Sequence, residues 1–305
     1  PAVCIVGKAW DFHVKVALGI KNEENLENIR ETAKHIVKNK KEFLFDAEHF
    51  FDGYKENPNY ALDCLKQAYD SGARWVVLCD TNGGTLPSEI GEIVSKVSKI
   101  IPGKNLGIHA HNDTENAVAN SLTAILAGAR QIQGTINGLG ERCGNANLIS
   151  LIPTLFLKKT FSDKFEINIK KDKLSALTEC SRFLDETLNR KSNKSMAYVG
   201  SSAFSHKGGL HASAVQKDPK TYEHIDPSLV GNHRNIVISN QSGRSNIISK
   251  LERYGIKIDP KDSKVQAILD EVKDREFSGY SYDGADASFE LLANRLLDKV
   301  PEYLK

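Results

Sequence analysis

The apolar residues of positions 1–160 alternate between two spacings, and this alternation limits the fold more than any other feature. Short apolar runs bounded by turn residues are typical of buried parallel strands. Such runs occupy residues 2–6, 43–46, 75–79, 106–109 and 131–136. Between them apolar residues recur at helical spacing, as Ile90, Ile93, Val94 and Val97 do. The pattern predicts a parallel sheet covered by crossover helices.

Two architectures have this alternation, an open doubly wound sheet and a closed (β/α)₈ barrel. Five strands are predicted, whereas a barrel needs eight. The sequence opens at Pro1 and enters a strand-like run at Ala2. A domain rarely begins at its own core strand, so we expect that earlier sequence is missing and could supply three strands.

The alternation stops after Phe161. One amphipathic helix is predicted at 174–188, followed by a long polar stretch, residues 189–245, in which we predict no regular structure. Helical patterns return at residues 246–254, 263–275 and 285–300. We therefore predict two regions, an α/β region at 1–160 and a mostly helical region at 161–305.

Composition excludes several functional classes. The 305 residues carry a formal net charge of +2 and no concentrated basic face, which argues against nucleic-acid binding. No apolar run approaches the length of a membrane span, and no signal peptide is visible. The five cysteines are scattered without a C-x-x-C motif, which is typical of reduced thiols in a cytoplasmic protein.

His109 and His111 form an H-x-H pair where the fourth predicted strand ends. Residues two apart on a strand point to the same face, so both imidazoles could bind one metal ion. A pair of hydrogen-bonded structural histidines is the alternative. The following Asn112-Asp113 and a second polar cluster favour the metal site.

That second cluster is the glycine-rich run G-T-I-N-G-L-G-E-R-C-G-N-A-N-L, residues 134–148. Asn145 is a candidate third ligand through its side-chain oxygen, although asparagine also favours a helix N-cap. Glu141 and Arg142 could form a structural ion pair or support the metal ligands. Mixed nitrogen and oxygen ligands suit Mg, Mn, Zn or Co. We expect a further carboxylate ligand on the missing strands.

Polar residues follow the other predicted strands as well, as Asp46, Glu48 and Thr81 do. Each could cap a helix, but together they favour a site at the mouth of a barrel. In the polar stretch, His211 is a candidate general acid or base with Tyr222 as its partner. A surface histidine and a packed tyrosine are the alternative.

Several of these strings resemble one family. H-A-H-N-D, D-T-N-G-G-T-L-P, N-G-L-G-E-R-C-G-N and G-G-L-H are similar to motifs of the metal-dependent Claisen-condensing barrels, the 2-isopropylmalate, homocitrate and citramalate synthases. F-D-A-E-H-F-F-D-G-Y and I-S-N-Q-S-G-R-S-N look most like the long-form citramalate synthase branch. The resemblance covers essentially the whole chain.

The resemblance implies a (β/α)₈ TIM barrel, of which residues 1–160 hold the last five β/α units, followed by helical subdomains at 161–305. The family's opening D-x-T-x-R-D-G motif, with its aspartate metal ligand and catalytic arginine, is absent here. So is the regulatory domain that usually follows. We expect the chain to be part of a longer protein, and a truncated product would be inactive.

The resemblance also implies roles for the candidate residues. The metal ligands would be His109, His111 and Asn145. The substrate-binding residues would be Asp46, Thr81, Glu141 and Arg142. The catalytic residues would be Glu48, His211 and Tyr222, the last two supplied in trans by the partner subunit of a homodimer.

The reaction implied is a metal-dependent condensation of acetyl-CoA with pyruvate and hydrolysis of the thioester, giving citramalate and CoA for isoleucine biosynthesis. The alternatives are a 2-isopropylmalate or homocitrate synthase, which would use another 2-oxo acid, and a metal-dependent lyase on the same scaffold. Acetyl-CoA is the expected co-substrate in each synthase.

Overall fold

The computed structural model describes residues 1–300 and divides the chain into two compact units. The first unit is Pro1–Leu155, and the second begins at Phe156. The boundary falls in the last turn of a helix, Leu148–Leu157.

Strands and helices alternate in the first unit and helices dominate the second. The strands are β1 (Ala2–Lys8), β2 (Glu42–Glu48), β3 (Trp75–Asp80), β4 (Leu106–Ala110), β5 (Gln131–Gln133), β6 (Ser205–His206) and β7 (Asn235–Ile236). The α-helices are α1 (Asp11–His13), α2 (Asn22–Lys38), α3 (Phe50–Glu56), α4 (Pro58–Asp70), α5 (Pro87–Val97), α6 (Ala117–Ala127), α7 (Leu148–Leu157), α8 (Lys159–Ser162), α9 (Leu177–Thr187), α10 (Gly209–Lys217), α11 (Arg244–Arg253), α12 (Ser263–Phe277) and α13 (Asp286–Leu296).

The five strands of the first unit form one parallel sheet in the order β1-β2-β3-β4-β5. All five predicted strands are therefore confirmed, with ends that differ by a few residues. The register pairs Lys8 with Glu48 and His109 with Gln133. Because the strands are parallel, their carboxyl ends meet at one edge and bring the polar residues there together.

A hydrogen bond between two strands that are not neighbours shows that this sheet is curved. Gln133 of β5 donates through Nε2 to Oδ1 of Asp46 on β2, at 2.9 Å. Strands three places apart in a flat sheet lie roughly 14 Å from each other. Side chains that stand upright on the sheet can meet over that span only on a concave face, as in the wall of a barrel.

Local signals in the sequence explain where the covering helices begin and end. Pro58 opens α4, where Oδ1 of Asn57 accepts from the backbone N–H of Tyr60 at 3.3 Å. Gly72 and Gly128 follow α4 and α6 with positive φ angles, 103° and 130°. Glycine adopts this backbone region without strain, so each helix stops at the predicted place.

The second unit is more regular than its polar sequence predicts. The prediction of no regular structure at residues 189–245 is wrong, because β6, α10 and β7 lie there, with 3₁₀ turns at Pro219–Thr221 and Pro227–Val230. Strands of two residues and single turns are too short to show a hydrophobic period. The helix predicted at 174–188 is a 3₁₀ segment, Lys171–Ala176, that leads into α9.

Helices α11, α12 and α13 share the core of the second unit. Their fully buried side chains are Ile247, Leu251, Val265, Ile268, Val272, Phe289 and Ala293. None of the helices in residues 1–300 combines the length and apolar character needed to cross a bilayer.

Two phenylalanines of the second unit provide a matched test of this core. Phe289 is fully buried, whereas Phe277 is 95% exposed. We expect Phe289→Ala to lower the free energy of unfolding by about 3–5 kcal/mol, because it leaves a cavity. Phe277→Ala should change it by less than about 0.5 kcal/mol. Urea unfolding of both variants checks this, and equal losses would contradict the described core.

Candidate active site

The H-x-H pair lies at the carboxyl end of β4. His109 is in the strand and His111 follows it directly. Their ring centroids are 5.1 Å apart. The backbone N–H of His111 donates to the carbonyl of Asp80 on β3 at 3.2 Å, so extended pairing continues past the strand end. Both imidazoles are therefore presented on the same side, as the spacing predicts.

A chain of hydrogen bonds sets the tautomer of His109. The carboxylate of Asp46 can only accept, so the Gln133 amide turns its Nε2 towards it. The Gln133 Oε1 then faces Nδ1 of His109 at 2.7 Å and accepts a hydrogen bond from the N–H of that ring nitrogen. Nε2 of His109 keeps a lone pair, which is the form of imidazole that binds a metal ion.

The glycine-rich run brings Asn145 beside His111. These two residues form an antiparallel backbone bridge, and Nδ2 of Asn145 donates to the Leu139 carbonyl at 3.0 Å. The loop is tight, because a Cβ on Gly144 would lie 1.9 Å from the carbonyl oxygen of Gly138. Helix α7 begins only at Leu148, so Asn145 is not its N-cap.

Two buried polar atoms at this point lack a hydrogen-bond partner, Nδ1 of His111 and Oδ1 of Asn145. Unpaired buried polar atoms are costly and rare in folded proteins. Burial, together with the nearby His109 and Arg142, lowers the pKa of His111, which favours the neutral imidazole. With the free Nε2 of His109, these atoms form a donor set that fits a divalent metal ion.

Arg142 pairs with Asp113, a residue whose partner the sequence alone does not predict. Nε and Nη2 of Arg142 donate to the two carboxylate oxygens of Asp113 at 2.7 and 2.9 Å. Nη2 also donates to the Thr81 carbonyl at 2.8 Å. The hydrogen bonds from Arg142 lower the pKa of Asp113. Glu141 forms the ion pair with Arg142 that the sequence suggests as one alternative, with Oε2 3.7 Å from Nη1, but its side chain is 86% exposed.

Glu48 belongs to a second polar group at the ends of β1 and β2. With His13 and His49 it offers three ligand atoms within 4.8 Å of one another. The ammonium group of Lys8 is hydrogen-bonded to Oε2 of Glu48, however. A divalent ion there would have to displace this lysine, because two positive charges would otherwise share one carboxylate. Glu48 is therefore a partly buried carboxylate neutralised by lysine.

Thr81 keeps a free hydroxyl proton. Its Oγ1 accepts from the backbone N–H of His49 at 2.8 Å, which leaves the O–H able to donate. His49 has a left-handed backbone, φ 54°, and its Nδ1 lies 2.9 Å from Oδ2 of Asp52. A strained backbone that positions polar groups is common at functional sites.

His211 and Tyr222 come together in the second unit, with ring centroids 4.2 Å apart. Tyr222 is 46% exposed. The next residue, Glu223, is buried and accepts from Nε of Arg234 at 2.6 Å, while Nε2 of His206 lies 3.0 Å from it. Burial raises the pKa of Glu223, but the hydrogen bonds from Arg234 and His206 outweigh this and lower it overall.

Sequence reasoning missed Gln133, Asp113 and Glu223 as members of these two sites. For Gln133 a signal was present, since Q-I-Q is an unusually polar run for a strand of a parallel sheet. Asp113 stands inside the H-A-H-N-D string but shows its partner only in the folded chain. Glu223 carries no signal in the sequence that distinguishes it from an exposed glutamate.

Comparison with known proteins decides the family. A model of the HMGL-like family matches residues 1–182, more than half of the chain. The chain belongs to the HMGL-like family. A second model, described as homocitrate synthase post-HMGL domain-like, matches residues 198–278. Enzymes of the HMGL-like family generally depend on a divalent metal ion, consistent with the donor set around His111.

Curated relatives of this family match nearly the whole chain. It is 55% identical over 303 residues to an (R)-citramalate synthase of Aquifex aeolicus, covering 99% of this chain and 56% of that protein. It is 33% identical over 277 residues to a 2-isopropylmalate synthase of Sulfolobus acidocaldarius, covering 91% and 69%. The chain thus spans about half the length of the Aquifex protein.

Solved structures of the family show the fold. The HMG-CoA lyase of Bacillus subtilis superposes with a TM-score of 0.53 at 18% identity, covering 61% of this chain and 63% of that one. The prediction of a TIM-barrel fold class is confirmed by this likeness and by the HMGL-like match. The position of the five strands within the whole barrel stays a prediction.

The pKa of Glu223 leads to a prediction of pH-dependent stability. An unfolded glutamate titrates near pH 4.3, and Glu223 titrates lower in the folded protein. Its ionised form therefore adds stability above about pH 4.3, which is lost as the pH falls further. We expect Glu223→Gln to lower the free energy of unfolding at pH 7 and to differ less from wild type towards pH 3.5.

Urea unfolding at several pH values measures this difference. Glu252→Gln, which changes an exposed glutamate of the same unit, is the control and should show no such trend. A Glu223→Gln effect that grows towards acid pH would contradict the ion pair.

Proposed function

We propose that this chain carries the metal site and the acid–base residues of a citramalate synthase. The reaction joins the methyl carbon of acetyl-CoA to the 2-oxo carbon of pyruvate, and water then releases CoA. The observation that carries the proposal is the 55% identity to an (R)-citramalate synthase over 99% of the chain. The identity to a 2-isopropylmalate synthase is lower, 33%, which favours pyruvate over the larger 2-oxo acid.

His109, His111 and Asn145 are the proposed metal ligands. When bound, a divalent ion supplies a Lewis acid for the 2-oxo group of the substrate. Mg, Mn, Zn and Co all suit two imidazoles and an amide oxygen. Gln133 and Asp46 support the site because they fix the tautomer of His109.

Thr81 and Arg142 are proposed to bind the carboxylate group of pyruvate. The free O–H of Thr81 can donate to a carboxylate oxygen. Arg142 is held by Asp113, so it closes the glycine-rich loop, and its Nη1 lies 3.7 Å from the exposed carboxylate of Glu141. Glu141, paired with Arg142 at the surface, is proposed to contact the substrate from the same loop. Asp46 acts through Gln133 in this proposal.

His211, Tyr222 and Glu48 are the proposed acid–base residues. The acetyl methyl group must lose a proton before it can attack, and a neutral imidazole is a base suited to take it. A phenol in contact with that imidazole can donate to the developing negative charge on oxygen. We propose that residues 161–305 deliver this pair to the partner subunit of a homodimer.

Turnover tests the substrate. We expect the full-length protein to release CoA from acetyl-CoA with pyruvate, measured as free thiol. The value of kcat/KM should be roughly 10- to 200-fold lower with 2-oxoisovalerate, because a pocket shaped for a methyl group excludes the branched chain. Release with 2-oxoisovalerate or 2-oxoglutarate but not with pyruvate would assign the chain to one of the other synthases.

Metal binding tests the ligands without turnover. Titration calorimetry with Mn²⁺ should show one site that His111→Ala abolishes, because the variant removes a direct ligand. Gln133→Ala should weaken binding about 10- to 100-fold, because His109 loses its support. His35→Ala, at an exposed histidine of α2, is the control. Unchanged affinity in His111→Ala would refute the site.

A further inference from the structure

Glu223 is a buried carboxylate that joins three segments of the second unit. Its side chain is 2% exposed. It accepts from Nε of Arg234 at 2.6 Å and is also hydrogen-bonded to Nη2 of that guanidinium. Its third partner is Nε2 of His206, at 3.0 Å. A charge this deeply buried is stable only while such partners stay in place.

Each partner belongs to a different part of the chain. His206 ends β6 and lies just before α10, the helix that carries His211. Arg234 directly precedes β7, which pairs in parallel with β6. Glu223 itself follows Tyr222. One carboxylate therefore connects β6, β7 and the turn at Pro219–Thr221.

The proposed acid–base pair lies next to this network. The rings of His211 and Tyr222 are in contact at 4.2 Å. The His206 ring, held by Glu223, lies 6.4 Å from the Tyr222 ring. Tyr222 is 46% exposed and His211 is exposed too, so burial does little to fix either ring. The His206 ring is therefore the group of the network that lies nearest to the pair.

We propose that Glu223 is a positioning residue, which holds His206 and Arg234 so that His211 and Tyr222 keep their contact. The network is a structural fact of the second unit, but its link to catalysis rests on the proposed function. Glu223 does not touch substrate in this proposal. It acts through the two rings.

The contact can be measured apart from activity. A proton on the His211 ring next to the face of Tyr222 gives a shifted signal, so protein labelled with ¹³Cε1-histidine reports on it directly. His211→Gln identifies the His211 signal, because the signal is missing from its spectrum. Tyr222→Leu gives the position of that signal when the tyrosine ring is absent. We expect Glu223→Gln to move the His211 signal most of the way to the Tyr222→Leu position. Glu252→Gln should leave it in place.

Two further variants keep the test decisive if Glu223→Gln does not fold. His206→Gln retains a side-chain N–H for Glu223 and should preserve the His211 signal. His206→Leu cannot donate and should move it. A signal that is unchanged in folded Glu223→Gln, or in folded His206→Leu, would overturn the proposal.

Kinetics of the full-length protein separate the proposal from the proposed function. If both hold, Glu223→Gln lowers kcat on the order of 10²-fold through misplacement of the pair, with KM for pyruvate and Mn²⁺ affinity nearly unchanged. If the His211 signal moves in Glu223→Gln but His211→Ala turns over normally, the catalytic role of the pair is refuted and the positioning role is not. If His211→Ala loses turnover but the His211 signal stays in place in Glu223→Gln, the positioning role is refuted and the catalytic role is not.

Discussion

The proposed metal site of the first unit depends on one backbone pairing, that of His111 with Asn145. The pairing joins the end of β4 to the glycine-rich loop. Next to it, Nδ1 of His111 and Oδ1 of Asn145 are buried without a hydrogen-bond partner. Leaving two such atoms unpaired destabilises a fold by about 1–3 kcal/mol each. A bound cation would remove that penalty, because both atoms are metal ligands by chemistry.

The surrounding side chains hold that pairing in a fixed geometry. Asp46 and Gln133 orient His109 from across the concave face of the sheet. Arg142, with a left-handed backbone at φ 54°, closes the loop on Asp113. Arg142, with its strained backbone, and the closely packed Gly144 are near the proposed ligands in the chain. Backbone strain is most often retained at functional sites.

Much of the fold follows from local patterns in the sequence. Apolar runs and helical stripes predict the five strands of the sheet, because strand and helix periods differ clearly. The H-x-H pair predicts two imidazoles on one face for the same reason. The Arg142–Asp113 pair and the Gln133–Asp46 bond were not predictable, since they depend on strand register and sheet curvature. The same is true of Glu223, whose burial arises from residues distant in the chain.

The most direct test of the metal site is X-ray absorption of the protein loaded with Co²⁺. Imidazole ligands give a characteristic multiple-scattering pattern that water and carboxylate do not. The structure predicts a spectrum with two imidazoles per ion and oxygen donors otherwise, reduced to one imidazole in His109→Ala. A spectrum without imidazole scattering, or one that His109→Ala and His111→Ala both leave unchanged, would contradict it.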